Sequence, residues 1–193
     1  MATLDSDIQY RYQDWYLPAA QMSGVFSDTG HGLTQGTVAP FGAAGTTTGS
    51  LTGMQLAIAG QFLRHTMPVP GRWQLDKAIH LYLYWTSGSA TVGDSITWKV
   101  LYNAFAEGAV TVRGATALDT APAAVNPTAT AWQVQRTGVG TINANSLAHG
   151  GLINFDFELD ALTGITEDIV LVGAEFWYLP RLTGSLGTPV APY

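Results

Sequence analysis

From Ala78 to Tyr102 the chain alternates strictly between apolar and other side chains, on either side of a Gly/Ser/Thr/Asp turn region. Ile79, Leu81, Leu83 and Trp85 fall on one face of the first run. Ile96, Trp98, Val100 and Tyr102 fall on one face of the second. Successive side chains of a strand point to opposite sides, so each set can line one core. The pattern predicts two strands joined as a hairpin, with His80, Tyr82 and Tyr84 on the face opposite Ile79 and Leu81.

The same period recurs along the chain. Ile8, Tyr10 and Tyr12 alternate with Gln9, Arg11 and Gln13; Trp15 and Tyr16 follow, and Leu17-Pro18 closes the run. This aromatic segment reads either as the first strand of a sandwich or as an arm reaching a neighbouring subunit. In the second case Tyr10, Tyr12, Trp15 and Tyr16 are the contact residues. Met54, Leu56 and Ile58 alternate next, residues 61–67 continue after Gly60, and Pro68, Pro70 and Gly71 break the chain. A turn is expected at Ala106-Glu107-Gly108, a short strand over 110–113, and a loop rich in Ala, Pro and Thr over 114–130. A strand over 131–137 would carry Trp132, Val134 and Arg136 on one face. From Leu152 to Leu159 the alternation is cleanest, with Ile153, Phe155, Phe157 and Leu159 inward and Asn154, Asp156, Glu158 and Asp160 outward. One helical turn at most is expected, at Ala161-Leu162. Residues 169–179 are apolar on both faces, as in a central strand covered on both sides or buried at an interface.

Four regions follow: an N-terminal strand or arm (1–22), a Gly/Thr-rich extended loop (23–53), a jelly-roll β-sandwich (54–180) and an extended C-terminal tail (181–193). Within 23–53 glycine recurs at 24, 30, 32, 36, 42, 45, 49 and 53, with Asp28 the only charge. Loops of that length are uncommon inside a compact domain, so an extended segment held by a partner is expected. About seven to nine short strands with frequent turn signals and no amphipathic helix define the fold class: all-β, an antiparallel, jelly-roll-like β-sandwich.

Composition narrows the function. The 193 residues suit one domain with an ample core. The chain has no cysteine, which excludes thiolate zinc sites, thiol catalysis and disulfide redox chemistry. Charged residues make up 11%, against about 25% in typical soluble domains. With 47% hydrophobic residues, so little charge points to apolar surface buried between copies of the chain, hence a homo-oligomer. A net charge of −6 without a basic run argues against nucleic acid as a partner. No apolar run reaches the ~20 residues of a membrane-spanning helix, so no membrane partner is expected. The N-terminus lacks a basic stretch followed by an apolar one and reads as no signal peptide.

Candidate chemistry is thin. Asp156, Glu158 and Asp160 on one strand face have the spacing of a glycosidase pair and the oxygens calcium takes, yet alternation already predicts a solvated face there. His31, His65, His80 and His149 are scattered, without HxH or HExxH spacing. No GxSxG, P-loop or GxGxxG occurs, and Gly138-Val139-Gly140 lacks a following helix. No enzyme, catalytic residue, metal or cofactor is expected. His80, Tyr82 and Tyr84 form the candidate exposed aromatic face. Such a ladder can stack on sugar rings, as in carbohydrate-binding modules, or line a protein interface; the low charge favours the interface or a second core layer.

Residues 72–112 and 152–180, about a third of the chain, resemble the jelly-roll modules of decoration (cement) proteins and some tail or fibre proteins of tailed bacteriophages. The matching features are Leu83-Tyr84-Trp85, the turn with Gly93-Asp94, the returning Trp98-Lys99-Val100-Leu101-Tyr102, and Glu167-Asp168-Ile169-Val170 entering the last strand. They are strand grammar rather than a site motif. The resemblance implies a non-enzymatic virion structural protein, made in the host cytoplasm and placed on the outer capsid surface. There a homotrimer would bridge subunits of the major capsid protein. The alternative it leaves is a carbohydrate- or receptor-binding module of a tail or fibre.

Overall fold

Alternating apolar positions set the strands, and the Gly- and Pro-containing stretches between them set where the chain crosses from one layer to the other. The computed structural model describes residues 13–27, 38–40, 52–71, 73–74, 77–105, 116–118, 124–125, 131–143, 147–148 and 150–180. Among them are twelve strands: β1 (Gln13–Pro18), β2 (Ser23–Ser27), β3 (Val38–Pro40), β4 (Thr52–Leu56), β5 (Gln61–Pro68), β6 (Ile79–Ser87), β7 (Ser95–Phe105), β8 (Thr116–Leu118), β9 (Ala124–Val125), β10 (Gln135–Ile142), β11 (Leu152–Thr163) and β12 (Ile169–Tyr178). A single 3-10 turn, Ala19–Gln21, joins β1 to β2.

The strands form two six-stranded antiparallel sheets. One has the order β10-β6-β12-β4-β3, with β1 also on β12; the other has the order β2-β5-β11-β7-β8, with β9 also on β7. From β4 onward the chain steps back and forth between sheets, except that β8 and β9 stay in the sheet of β7, so β10-β6-β12-β4 faces β5-β11-β7-β8. That winding is a jelly roll, and the fold is an antiparallel β-sandwich. β12 holds the first sheet together. It pairs with β6 on one side, and on the other with β4 over Ile169–Leu171 and β1 over Gly173–Tyr178.

The alternating residues meet between the sheets as expected. Ile79, Leu83, Trp85, Ile96, Trp98 and Val100 are fully buried. Burying each such side chain contributes about 1.5–3 kcal/mol before the entropy of ordering is counted. Trp85 and Trp98 lie 6.5 Å apart, ring centre to ring centre, one from each sheet. Phe155 of β11 meets Phe176 of β12 at 5.1 Å in the same way. The expected hairpin is therefore not formed. β6 and β7 belong to opposite sheets, and the connection between them, closed by a Ser89–Asp94 hydrogen bond, arches across the sandwich. Alternation gives the same inward faces in an arch as in a hairpin, so it could not tell them apart.

Other elements depart from the sequence reading. The described parts of 23–53 are strands: β2 pairs with β5 and β3 with β4. Within 114–130, β8 and β9 pair with β7. Residues 131 and 132 form a turn, 133 and 134 are irregular, and the strand there begins at Gln135. Ala161 and Leu162 continue β11 past a register shift rather than forming a helical turn. Gly138-Val139-Gly140 is a β-bulge facing β6, with Val139 turned into the core. The turn at 106–108, the strand over 110–113 and the tail 181–193 lie outside the described residues.

Candidate functional site

Antiparallel register brings the even-numbered residues of β6 together with those of its neighbours on the outer face of the first sheet. Glu175 stands opposite both Tyr82 and Tyr16, and Gly138 stands opposite Tyr82. In the next row Gly173 stands opposite Tyr84 and Pro18, and Arg136 opposite Tyr84. In a third, Trp177 and Thr141 flank His80. Directly opposed residues share a face and touch. Four strands thus deliver four aromatic rings and one ion pair to a single patch.

The glycines make the packing possible. A Cβ at Gly173 would overlap the Tyr16 phenol and the Leu17 carbonyl at 2.6 Å, and one at Gly138 would lie 3.3 Å from the Tyr82 ring. Each tyrosine leans over a position without a side chain, a known way to restore packing above a strand glycine. Tyr16 then meets Tyr84 edge-on at 6.0 Å and donates a hydrogen bond to the Val172 carbonyl at 3.2 Å.

Arg136 occupies the centre. Its guanidinium carbon lies 3.6 Å from the Tyr82 ring centre, 4.9 Å from Trp177 and 5.9 Å from Tyr84. Its Nε and Nη2 both donate to Glu175 Oε2, at 3.1 and 2.9 Å, and the Tyr84 hydroxyl donates to the same oxygen at 2.9 Å. Burial pushes the Glu175 carboxyl up, but the donors Trp177, Tyr84 and Arg136 outweigh it and hold the group below its ordinary range. Burial pulls the Arg136 guanidinium down, and its Glu175 bond together with the charges of Tyr84 and Glu175 carries it above its ordinary value. Tyr84 is raised by burial and then by Glu175; Tyr16 is raised by burial, then by Tyr84 and Glu175. The pair is ionised near neutrality. A carboxylate with three donors on one oxygen is a poor proton shuttle, so the patch is built for stacking and hydrogen bonding.

Toward the β4 end the same face carries a separate apolar cluster. Val170 and Val172 are buried there, packed under Tyr84 and Trp132. Trp132 has φ of 65°, its N–H donates to the Ser87 carbonyl at 2.8 Å, and its ring edge lies close to Gly88.

Of the residues singled out by sequence, His80, Tyr82 and Tyr84 lie together on this face. Trp15 turns inward and packs on Phe176 at 5.6 Å, whereas Tyr16 joins the outer patch. Tyr10 and Tyr12 lie outside the described residues. Arg136, Glu175 and Trp177 carry the site and were not singled out as a site, because only strand register, which the sequence does not display, brings β10 and β12 beside β6.

The carboxylate strand is a ladder of cross-strand pairs. Asp156 makes a two-pronged pair with Arg64, at 2.6 and 2.7 Å. Glu158 and Asp160 lie 3.2 and 3.9 Å from Lys99, and Asn154 accepts from Thr66. Among the described residues no group of three or more potential ligands is arranged for a metal. His65 is half-buried in β5, and burial lowers its pKa despite a backbone bond with Gln21. His31 and His149 lie outside the described residues.

No family model matches the chain, and no curated protein matches it. Among solved structures it is similar to the CBM36-1 domain of a multidomain xylanase from the hindgut metagenome of Trinervitermes trinervoides. The TM-score is 0.47 at 8% identity, over 85% of this chain and 96% of that domain.

Proposed function

We propose that this protein is a non-catalytic binding module that takes carbohydrate on the outer face formed by β10, β6, β12 and β1. The observation that carries the reading is the Arg136–Glu175 pair set among Tyr16, Tyr82, Tyr84 and Trp177, outside a sandwich core that is complete without it. Sugar rings offer C–H faces to aromatic rings and paired hydroxyls to charged hydrogen-bonding groups, and this patch supplies both partners. Among the described residues the opposite outer face carries the ion pairs Arg64–Asp156 and Lys99–Glu158, with Phe62 the ring that Arg64 covers. A glycan array tests the reading. Binding to at least one glycan is expected, weakened roughly tenfold (~1.4 kcal/mol) by Tyr84→Ala in a variant that still melts cooperatively. Silence across a broad panel contradicts it.

A second reading keeps this face and changes its partner: a virion structural protein, a capsid decoration protein whose copies bridge coat subunits. What favours it is the scarcity of charge, 11% of residues, in a jelly roll that presents aromatic rings outward. Proteins that stabilise a lattice act by binding only its assembled form. Mass spectrometry of purified phage particles tests this: many copies per major coat subunit are expected, and absence from the particle contradicts it.

A further inference from the structure

We infer that Trp132 is a displaceable cover over a second subsite of the same outer face, floored by Val170, Val172 and Thr86, which takes one further pyranose ring of a neutral glycan. The inference rests on the carbohydrate reading and extends it toward the β4 end of the face.

Three observations converge on this spot. Trp132 is the one non-glycine residue at positive φ among those described. A bulky side chain there is an outlier that surrounding contacts must hold in place. Val170 and Val172, buried to 1% and 4% exposure, form a cluster apart from the main core, capped by Tyr84 and Trp132. Thr86 stands directly opposite Val170 and so shares its face. It is fully buried, and its Oγ1 has no hydrogen-bond partner among the described residues. A buried hydroxyl without a partner is costly, and a core position would more readily carry valine.

Together these features describe a slot shaped by a flat aromatic ring, with methyl groups below and one hydroxyl unmet. A pyranose ring fits the same demands. Its C–H face would replace the indole on the valines, and one of its hydroxyls would meet Thr86 Oγ1. Strain at Trp132 lowers the cost of opening. Thr86 continues the outward row of β6 from Tyr82 and Tyr84, so one oligosaccharide can run along both sites. Among the described residues the floor is Val170, Val172 and Thr86, none of them charged, and Glu167 packs beside Gly88 at the rim; an uncharged floor favours a neutral ring.

The test uses the full chain with xylohexaose, cellohexaose and mannohexaose as probes, read by amide NMR titration and calorimetry. Binding by any of them is expected to shift the amides of Ser87, Gly88 and Trp132 together with those of Tyr82 and Tyr84. Trp132→Ala removes the cover, and Trp132→Gly removes the backbone strain as well, which guards against a folding failure. Both are expected to bind about tenfold tighter, as when a competent state populated near 10% becomes the main one. Thr86→Val in the Trp132→Gly background is expected to cancel that gain. If shifts stop at Tyr82 and Tyr84 and the Trp132 variants bind no more tightly, the subsite is overturned while the carbohydrate reading stands. If no amide shifts with any probe, the carbohydrate reading fails and the subsite falls with it. Exchange of the Trp132 amide only at the rate of the Leu171 amide, through global unfolding, also overturns the displaceable cover.

Discussion

Arg136 lies over Tyr82, its guanidinium carbon 3.6 Å from the ring centre, while the same guanidinium is tied to Glu175 through two hydrogen bonds. The arginine is therefore fixed from below by a ring and from the side by a carboxylate. Cation–π contact of this kind is worth about 0.5–1 kcal/mol in partly exposed settings. Its larger consequence is positional, because a fixed guanidinium presents its remaining N–H groups without a further ordering cost.

Glu175 couples this patch to pH. Its folded pKa lies below the ordinary glutamate value of 4.5, so the unfolded chain takes up its proton first as acid is added. The stability it contributes is complete above the unfolded value and is lost as pH falls through the folded one. Glu175→Gln should cost about 1–2 kcal/mol at pH 7, roughly 2–8 °C in melting temperature. Melting curves of both proteins across the acid range should converge as the carboxylate is protonated. A constant gap would mean that Glu175 is not held ionised by its donors.

Gly173 and Gly138 make unequal demands. Alanine at 173 would meet the Leu17 carbonyl and the Tyr16 ring at 2.6 Å, and backbone cannot step aside, so urea unfolding should show a loss of about 1–3 kcal/mol. Alanine at 138 asks the Tyr82 ring to move by only a few tenths of an ångström and should cost less. The reverse ranking would mean that Tyr16 does not lie over Gly173.

The two facing tryptophans separate packing from hydrogen bonding. Trp85 Nε1 donates to Thr137 Oγ1 at 2.9 Å, while the buried Trp98 Nε1 has no partner among the described residues. Replacing either with phenylalanine removes the same volume, but only Trp85→Phe forfeits a bond. Chemical denaturation should find Trp85→Phe the more costly by about 1 kcal/mol.

On the other sheet, Asp156→Asn opens the fork with Arg64. Because the arginine side chain is 40% exposed, the expected loss is small, about 0.5–1 kcal/mol, and it should shrink further in high salt. Glycan binding should be unchanged, since this pair lies on the far side of the sandwich.

These contrasts show what the sequence made legible. Period-two alternation identified the inward residues of β6, β7 and β11 and the two-faced burial of β12, because burial acts directly on composition. The outward placement of Tyr82 and Tyr84 came from the same parity. The site itself did not. Arg136 reaches Tyr82 because antiparallel register sets it opposite Tyr84, one row away on the same face, and register leaves no local signature. The arch between β6 and β7 reads as a hairpin in the sequence for the same reason: parity is local, and sheet membership is not.

The most direct test of the central claim is calorimetric titration of the wild-type protein, Arg136→Ala and Arg64→Ala with xylohexaose, cellohexaose and mannohexaose. Measurable binding of at least one oligosaccharide is expected, lost or weakened roughly tenfold in Arg136→Ala and kept in Arg64→Ala, a difference of ~1.4 kcal/mol. No binding by the wild-type protein, or binding that survives Arg136→Ala and disappears in Arg64→Ala, would contradict the claim.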